Sequence, residues 1–174
     1  MDLRNVEDKY KGWLKDTIKN HLIEKAFPFA VLMEHLNGDF NIGTVIRNAN
    51  VFGAQEVFYT GKKKWDKRGA CGANHYLVIN YIKDFDDIYL LKNKYSLVAL
   101  EQVSSSEKLN TFTWPNNPLI IIGEEGCGIS DELLELSDFK VEIPQFGSIR
   151  SLNAGTASGI AMYDFTAKYN LKNE

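Results

Sequence analysis

Cysteine, proline and long apolar runs are all scarce in this sequence. Its 174 residues include four prolines and two cysteines, Cys71 and Cys127, which do not form a CxxC pair. With only three scattered histidines there is no zinc-ligand spacing, so we expect no metal site and two free thiols, as in a cytoplasmic protein. No apolar run approaches the ~20 residues of a membrane span, and the N-terminus shows no secretory signal pattern. We therefore expect no membrane association.

The chain also lacks a surplus of positive charge. Its formal net charge is −3 at pH 7, so a nucleic-acid partner requires a local basic patch. The composition, 44% hydrophobic and 25% charged, is that of a globular protein and excludes a disordered or collagen-like chain. Because the sequence shows no internal repeat and no Gly/Ser linker, its length predicts one domain.

Short apolar segments alternate with helical patterns along the chain. The predicted strands occupy 29–34, 56–60, 77–82, 95–101, 118–123 and 139–144. The predicted helices occupy 5–25, 42–52, 84–93, 130–136 and 151–169. This order predicts an α/β fold with a mostly parallel sheet and helices on both faces. We assign residues 1–28 to an N-terminal helical extension and 29–174 to a single domain.

Three polar loops follow predicted strand ends, where open α/β sheets bind ligands. The first, 37–47, carries Asn41, Gly43 and Arg47. Asn41 is explained equally well as a helix N-cap. Arg47 lies among apolar residues, so its guanidinium must either reach solvent along the helix surface or meet an anion. Both interpretations stay open at this point.

The second loop, 123–132, is rich in glycine and acid. Its pattern G-E-E-G-C-G is neither the G-x-G-x-x-G dinucleotide fingerprint nor a P-loop. The adjacent Glu124 and Glu125 would repel phosphate, so the loop suits a neutral or cationic ligand. A tight turn without a ligand is the alternative.

The third loop, 143–161, leads into the last predicted helix. Arg150, Ser151 and Asn153 place polar groups at the helix start. Small residues follow over 154–161, a pattern that more often reflects close helix packing than chemistry.

Together the segments N-x-G-x-x-x-R, G-E-E-G-C-G and I-P-Q-x-G-x-x-R-S-L-N, in this order, resemble the three motifs of the SpoU (TrmH-like) branch of the SPOUT RNA methyltransferases. The resemblance covers about residues 29–168. It implies an α/β fold with a C-terminal trefoil knot, a homodimer and S-adenosylmethionine as cofactor. It also implies methyl transfer to a ribose 2′-hydroxyl of RNA.

The resemblance assigns roles residue by residue. Catalytic roles are implied for Asn41, Arg47, Glu124, Ser151 and Asn153. Cofactor contacts are implied for Leu100, Glu101, Gly123, Glu124, Ile143, Leu152 and Asn153. The chain departs from the family after S-L-N, where Val and Ser are common and Ala154 and Gly155 stand here, so the last helix is expected to pack differently.

A basic segment follows the predicted strand 56–60. It is an RNA-binding candidate because five cations surround one acid, Asp66, and an aromatic ring suitable for stacking on a base. The candidate residues are Lys62, Lys63, Lys64, Trp65, Lys67 and Arg68. A solvated loop is the alternative.

The sequence thus predicts an S-adenosylmethionine-dependent RNA 2′-O-methyltransferase, with tRNA favoured as substrate and a guanosine as the preferred target. Ribosomal RNA is the runner-up substrate. Two other functions stay open: a non-catalytic RNA-binding relative, and a nicotinamide-dependent α/β enzyme, which the missing G-x-G-x-x-G disfavours.

Overall fold

Seven strands form one sheet in which every neighbouring pair runs parallel. The computed structural model describes residues 6–36 and 39–173. The strands are β1 (Phe27–Met33), β2 (Ala54–Tyr59), β3 (Val78–Tyr81), β4 (Ser96–Leu100), β5 (Glu107–Lys108), β6 (Pro118–Ile122) and β7 (Phe139–Glu142). Their order across the sheet is β3-β2-β1-β6-β4-β7-β5. Because all strands point the same way, all their carboxyl ends meet at one edge.

Five α-helices accompany the strands within the described residues. They are α1 (Lys15–Glu24), α2 (Asp39–Val51), α3 (Asp86–Leu91), α4 (Asp131–Leu136) and α5 (Ala154–Asn173). Alternate residues of β1 face opposite sides of the sheet, as strand geometry requires. Val31 packs in the same cluster as residues of α2 and α5, whereas Leu32 packs with Ile88 of α3 and Leu133 of α4. The predicted parallel sheet with helices on both faces is therefore confirmed; the knot stays a prediction.

The N-terminal helix predicted over 5–25 is wrong in its extent. Asp8–Tyr10 form a single 3₁₀ turn, and α1 begins only at Lys15. Gly12 lies between them with φ of +86°, a left-handed conformation that breaks the helix and that glycine adopts without strain. The apolar residues found at helical spacing, Tyr10 and Ile18, instead pack in a small cluster with Tyr76.

Other boundaries differ from the predicted ones by up to four residues, and one strand was missed. β1 starts at Phe27, inside the predicted 1–28 extension. The long connection after β4 contains the two-residue edge strand β5, too short to leave a periodic pattern. Residues 1–5 of the extension, Asn37 and Gly38 of the first loop, and Glu174 lie outside the described residues.

Candidate active site

A cavity of about 520 Å³ opens at the carboxyl edge of the sheet. Its walls come from the end of β4, the turn after β6 and the segment from the end of β7 into α5. All residues predicted to contact a cofactor line it: Leu100, Glu101, Gly123, Glu124, Ile143, Leu152 and Asn153. Ser151 also lines it, so three segments far apart in sequence converge on one space.

The glycine-rich segment after β6 is a closed turn. The backbone groups of Glu124 and Gly128 exchange two hydrogen bonds, of 3.0 and 2.9 Å. A Cβ atom added to Gly123 would overlap the backbone of Gly128, so the two ends of the turn approach more closely than a side chain allows. The tight turn that the sequence offered as one alternative is therefore present, and it lines the cavity; ligand binding there stays a prediction.

Glu101 anchors the end of that turn. One carboxylate oxygen accepts a hydrogen bond from the backbone N–H of Ile129 at 3.0 Å, and the other accepts from the N–H of Gln102 at 2.9 Å. The carboxylate also occupies the space that a side chain at Gly128 would need. Glu101 is thus a wall of the cavity and a support of the turn together.

A chain of side-chain hydrogen bonds joins the three predicted motifs. The amide of Asn153 donates to the side-chain oxygen of Asn41 at 2.9 Å, and the amide of Asn41 donates to a carboxylate oxygen of Glu125. Asn41 does not cap its helix, since α2 begins at Asp39. Glu125 is a site residue that sequence reasoning missed: either of the adjacent acids fits the pattern, and only the turn geometry selects the one that reaches Asn41.

Arg47 lies on α2 with an exposed side chain and does not line the cavity described above. Its Nη1 donates to the sulfur of Cys71 at 3.6 Å, a weak interaction. The segment that carries Cys71 packs tightly on α2, because the backbones of Gly43 and Gly69 are in contact. Because the Arg47 side chain is exposed, its guanidinium is accessible to an anion.

The basic segment 61–69 is fixed to the sheet rather than loose. The hydroxyl of Tyr59 donates to the carbonyl oxygen of Lys63 at 3.0 Å, and Trp65 is half-buried against the core. Arg68 pairs with Asp66, and this hydrogen bond lowers the pKa of the Asp66 carboxyl. The lysine side chains of the segment are exposed: Lys62, Lys63, Lys64 and Lys67.

The small residues of α5 pack against α2, as their pattern predicted. The side-chain amide of Asn48 donates to the carbonyl oxygen of Gly155 at 2.8 Å and to the hydroxyl of Ser158 at 3.0 Å. A Cβ atom at Gly155 would lie 2.7 Å from the Thr44 methyl group. The close approach of α2 and α5 brings Asn41 beside Asn153.

Neither a membrane span nor a metal cluster occurs in the described residues. No helix there is long and apolar enough to cross a membrane. Nor do those residues include a group of three or more His, Cys, Asp or Glu side chains that could hold a metal ion.

Comparison with known proteins gives a family match over most of the chain. The model of the SpoU rRNA Methylase family matches residues 28–163. A tRNA (guanosine(18)-2′-O)-methyltransferase of Saccharomyces cerevisiae is 42% identical over 79 residues, which are 45% of this chain and 6% of that protein. The enzyme of the same name from Aquifex aeolicus is 25% identical over 142 residues, 77% of this chain and 66% of that one. The chain thus spans less than two thirds of the length of both relatives.

Solved structures show the same fold. The A. aeolicus TrmH/SpoU tRNA modifying enzyme superimposes with a TM-score of 0.82 at 22% identity, covering 91% of this chain and 84% of that one. The SpoU methyltransferase AviRb from Streptomyces viridochromogenes, in complex with AdoMet, gives a TM-score of 0.74 at 24% identity. That match covers 83% of this chain and 59% of that one.

Proposed function

Since this chain belongs to the SpoU rRNA methylase family, we propose that it transfers a methyl group from S-adenosylmethionine to a ribose 2′-hydroxyl of RNA, with tRNA as the favoured substrate. The convergence of three motif segments on one cavity carries this proposal. Both relatives described above are named as tRNA guanosine methyltransferases, which supports tRNA and a guanosine target.

The cavity has the chemistry that the cofactor requires. S-adenosylmethionine supplies a methyl group on a positively charged sulfur. Leu100, Ile143 and Leu152 offer apolar surface for the adenine ring, and Glu101 and Glu124 place negative charge nearby. Gly126 of the same turn also lines the cavity, and a Cβ atom there would meet no atom within 4 Å, so a ligand can approach the turn closely at this point.

The residues around the cavity have distinct roles in this reaction. Asn41, Asn153 and Ser151 order the polar wall beside the cofactor, because the two asparagines are hydrogen-bonded to each other. Arg47 acts as a hydrogen-bond donor and not as a base, since a guanidinium group has five N–H donors and no acceptor. It stabilises negative charge that develops on the 2′-oxygen and so lowers the pKa of this poorly nucleophilic hydroxyl, whose proton passes to solvent water.

RNA binds to the exposed lysines of the basic segment in this proposal. The cations of this segment are Lys62, Lys63, Lys64, Lys67 and Arg68. The segment packs against α2 through Gly69, and Cys71, two residues further on, contacts Arg47. Phosphates held there would bring the ribose toward the arginine.

We also propose that the protein is a homodimer and acts in the cytoplasm. Two exposed apolar side chains of α5, Ile160 and Tyr163, line a shallow groove between α2 and α5, and Phe40 and Val51 of α2 are exposed as well. A second copy that covers this face would remove them from water. Both cysteines are free and exposed, which suits a reducing compartment. Light scattering at micromolar concentration should give twice the monomer mass of 19.8 kDa.

The decisive experiment measures methyl incorporation. Purified protein is incubated with radiolabelled S-adenosylmethionine and, separately, total tRNA and rRNA, and the nucleosides are identified by mass spectrometry. A 2′-O-methylguanosine from tRNA is the expected product. If only rRNA is methylated, the substrate is rRNA and not tRNA. Binding of S-adenosylhomocysteine without methyl transfer would favour a non-catalytic relative, and tight NADH binding instead would overturn the proposal.

A further inference from the structure

A buried carboxylate outside the three motifs holds the glycine-rich turn from the side opposite Glu101. Glu34 follows β1 and its residue is only 6% exposed. One carboxylate oxygen accepts a hydrogen bond from the backbone N–H of Ser130 at 2.8 Å, and the other accepts from the Ser130 hydroxyl at 2.5 Å. Both oxygens of this carboxylate are thus engaged by a single residue at the end of the turn.

The two carboxylates act on consecutive backbone groups. Glu101 accepts from the N–H of Ile129 and Glu34 from the N–H of Ser130. β6, which leads into the turn, lies between β4 and β1, the strands that precede these two acids. Each neighbouring strand therefore supplies one carboxylate, and together they fix the position at which the turn ends.

The turn is also a wall between two cavities. Glu124, Cys127 and Gly128 line the cavity assigned to the cofactor and also a second cavity of about 560 Å³, which Glu34 and Ser130 line. Because open space lies on both sides, packing alone does not hold the turn in place. The backbone pair between Glu124 and Gly128 sets the shape of the turn. Its position depends on the hydrogen bonds to the two carboxylates and on the bond that Asn41 donates to Glu125.

We propose that Glu34 is a positioning residue for the cofactor: by holding Ser130 it keeps the glycine-rich turn in the shape that binds S-adenosylmethionine. This inference rests on the proposed function for the identity of the ligand. Hydrogen bonds to an ionised carboxylate are stronger than neutral ones, and removing the acceptor leaves a partly buried N–H without its partner. The turn then moves toward the second cavity and the cofactor site loosens.

The test compares Glu34→Ala with Glu34→Gln and with Glu56→Ala. Glutamine keeps an oxygen that accepts from Ser130. Glu56 is the matched control, since it is another partly buried carboxylate with several hydrogen bonds, to Asn80, Lys94 and Tyr95, and it lines neither of the two cavities. Calorimetry with S-adenosylhomocysteine gives the affinity, and amide exchange followed by NMR gives the opening of residues 129 and 130.

In Glu34→Ala we expect affinity for S-adenosylhomocysteine to fall by about tenfold or more, the loss of one charged hydrogen-bonded partner. The KM for S-adenosylmethionine should rise in parallel while kcat at saturation stays within about threefold. Exchange at 129 and 130 should accelerate. Glu34→Gln should restore most of the affinity, and Glu56→Ala should lower stability with unchanged affinity.

Unchanged affinity and exchange in Glu34→Ala would overturn the inference, and so would an equal loss of affinity in Glu56→Ala. If Glu34→Ala does not fold, Ser130→Ala, which deletes one of the two donors, should still weaken binding. Failure of the parent protein to bind S-adenosylhomocysteine would instead refute the proposed function. The exchange of residues 129 and 130 would then still test whether Glu34 holds the turn.

Discussion

Asn153 donates a hydrogen bond to the side chain of Asn41 at 2.9 Å, across a separation of 112 residues. The oxygen of the same Asn153 side chain accepts from the backbone N–H of Thr156, in the first turn of α5. Asn153 therefore starts the last helix and joins it to α2 at the same time. Any change that displaces α5 from α2 should also disturb the polar wall of the cavity.

Replacing Arg47 with alanine should abolish methylation while leaving the cofactor site intact. Loss of one group that stabilises charge in the transition state costs about 10²–10³ in rate. Arg47 does not line the described cavity, so affinity for S-adenosylhomocysteine should stay within about threefold. Arg47→Lys keeps the charge but not the planar fork and should recover little activity. Methylation by Arg47→Ala within tenfold of the parent would show that the residue is structural.

Replacing Lys62, Lys63, Lys64 and Lys67 together with alanine should weaken binding of all RNAs alike. The slope of log affinity against log salt should flatten by roughly 0.7–0.9 for each phosphate that the variant no longer neutralises. Cofactor affinity should survive, because the segment carries no residue of the described cavity. The matched control replaces Lys9, Lys11, Lys15 and Lys19. If the control changes the salt slope and the first variant does not, RNA binds at the N-terminal segment.

Trp65 was predicted to stack on a base, an interaction worth about 1–3 kcal/mol of RNA affinity. The ring is half-buried against the core, so Trp65→Ala should also lower the free energy of unfolding, by about 2 kcal/mol. Urea denaturation measures the second effect. Trp65→Phe keeps part of the packing and a stacking surface, and its RNA affinity should lie between those of the parent and Trp65→Ala. Equal RNA affinities in all three proteins would exclude stacking.

Gly123→Ala should weaken binding of S-adenosylhomocysteine by about tenfold or more, since the new methyl group overlaps the Gly128 backbone and forces the turn open. Gly147→Ala is the control, because a Cβ there meets no atom within 4 Å. Calorimetry on both variants separates the effect of this overlap from that of any glycine replacement. Parent-like affinity in Gly123→Ala would contradict the geometry of the turn.

Stability should fall steeply between pH 10 and 12. Burial, together with the hydrogen bond to Glu56, raises the pKa of Tyr95 from 10 to about 12. A group whose pKa is higher in the folded state stabilises the protein fully below its unfolded pKa, and this contribution disappears as the pH rises through the folded pKa. Urea unfolding as a function of pH should therefore show a shallower fall in Tyr95→Phe than in the exposed-site control Tyr89→Phe. Identical profiles would refute this.

The sequence predicted the fold well where periodicity is strong. Buried strands such as β6 and the small-residue face of α5 were recognisable because their patterns are set by burial, which the local sequence records. The break at Gly12 was not predicted, since an apolar spacing of three and four residues persists through a glycine that turns the chain. β5 was missed because a strand of two residues is too short to show an alternating hydrophobic pattern.

The candidate site was predictable in its members but not in its contacts. The family resemblance predicted Asn41, Glu101 and Asn153 as site residues, and the structure places all three at or beside one cavity. Which acid of the pair Glu124–Glu125 meets Asn41 depends on the fold of the turn, and the engagement of Glu34 with Ser130 joins residues 96 positions apart. Contacts of this kind leave no local signal.

The packing of α5 on α2 has a consequence for protein synthesis. The polar wall needs Asn153, and the helix that holds it in place is completed only by residues up to 173. A chain still attached to the ribosome, with this last stretch inside the exit tunnel, can form β1 and α2 but cannot assemble the cavity. Until α5 has left the tunnel, the α2 surface that it later covers stays exposed, and exposed apolar surface of this kind promotes aggregation of a partly folded chain.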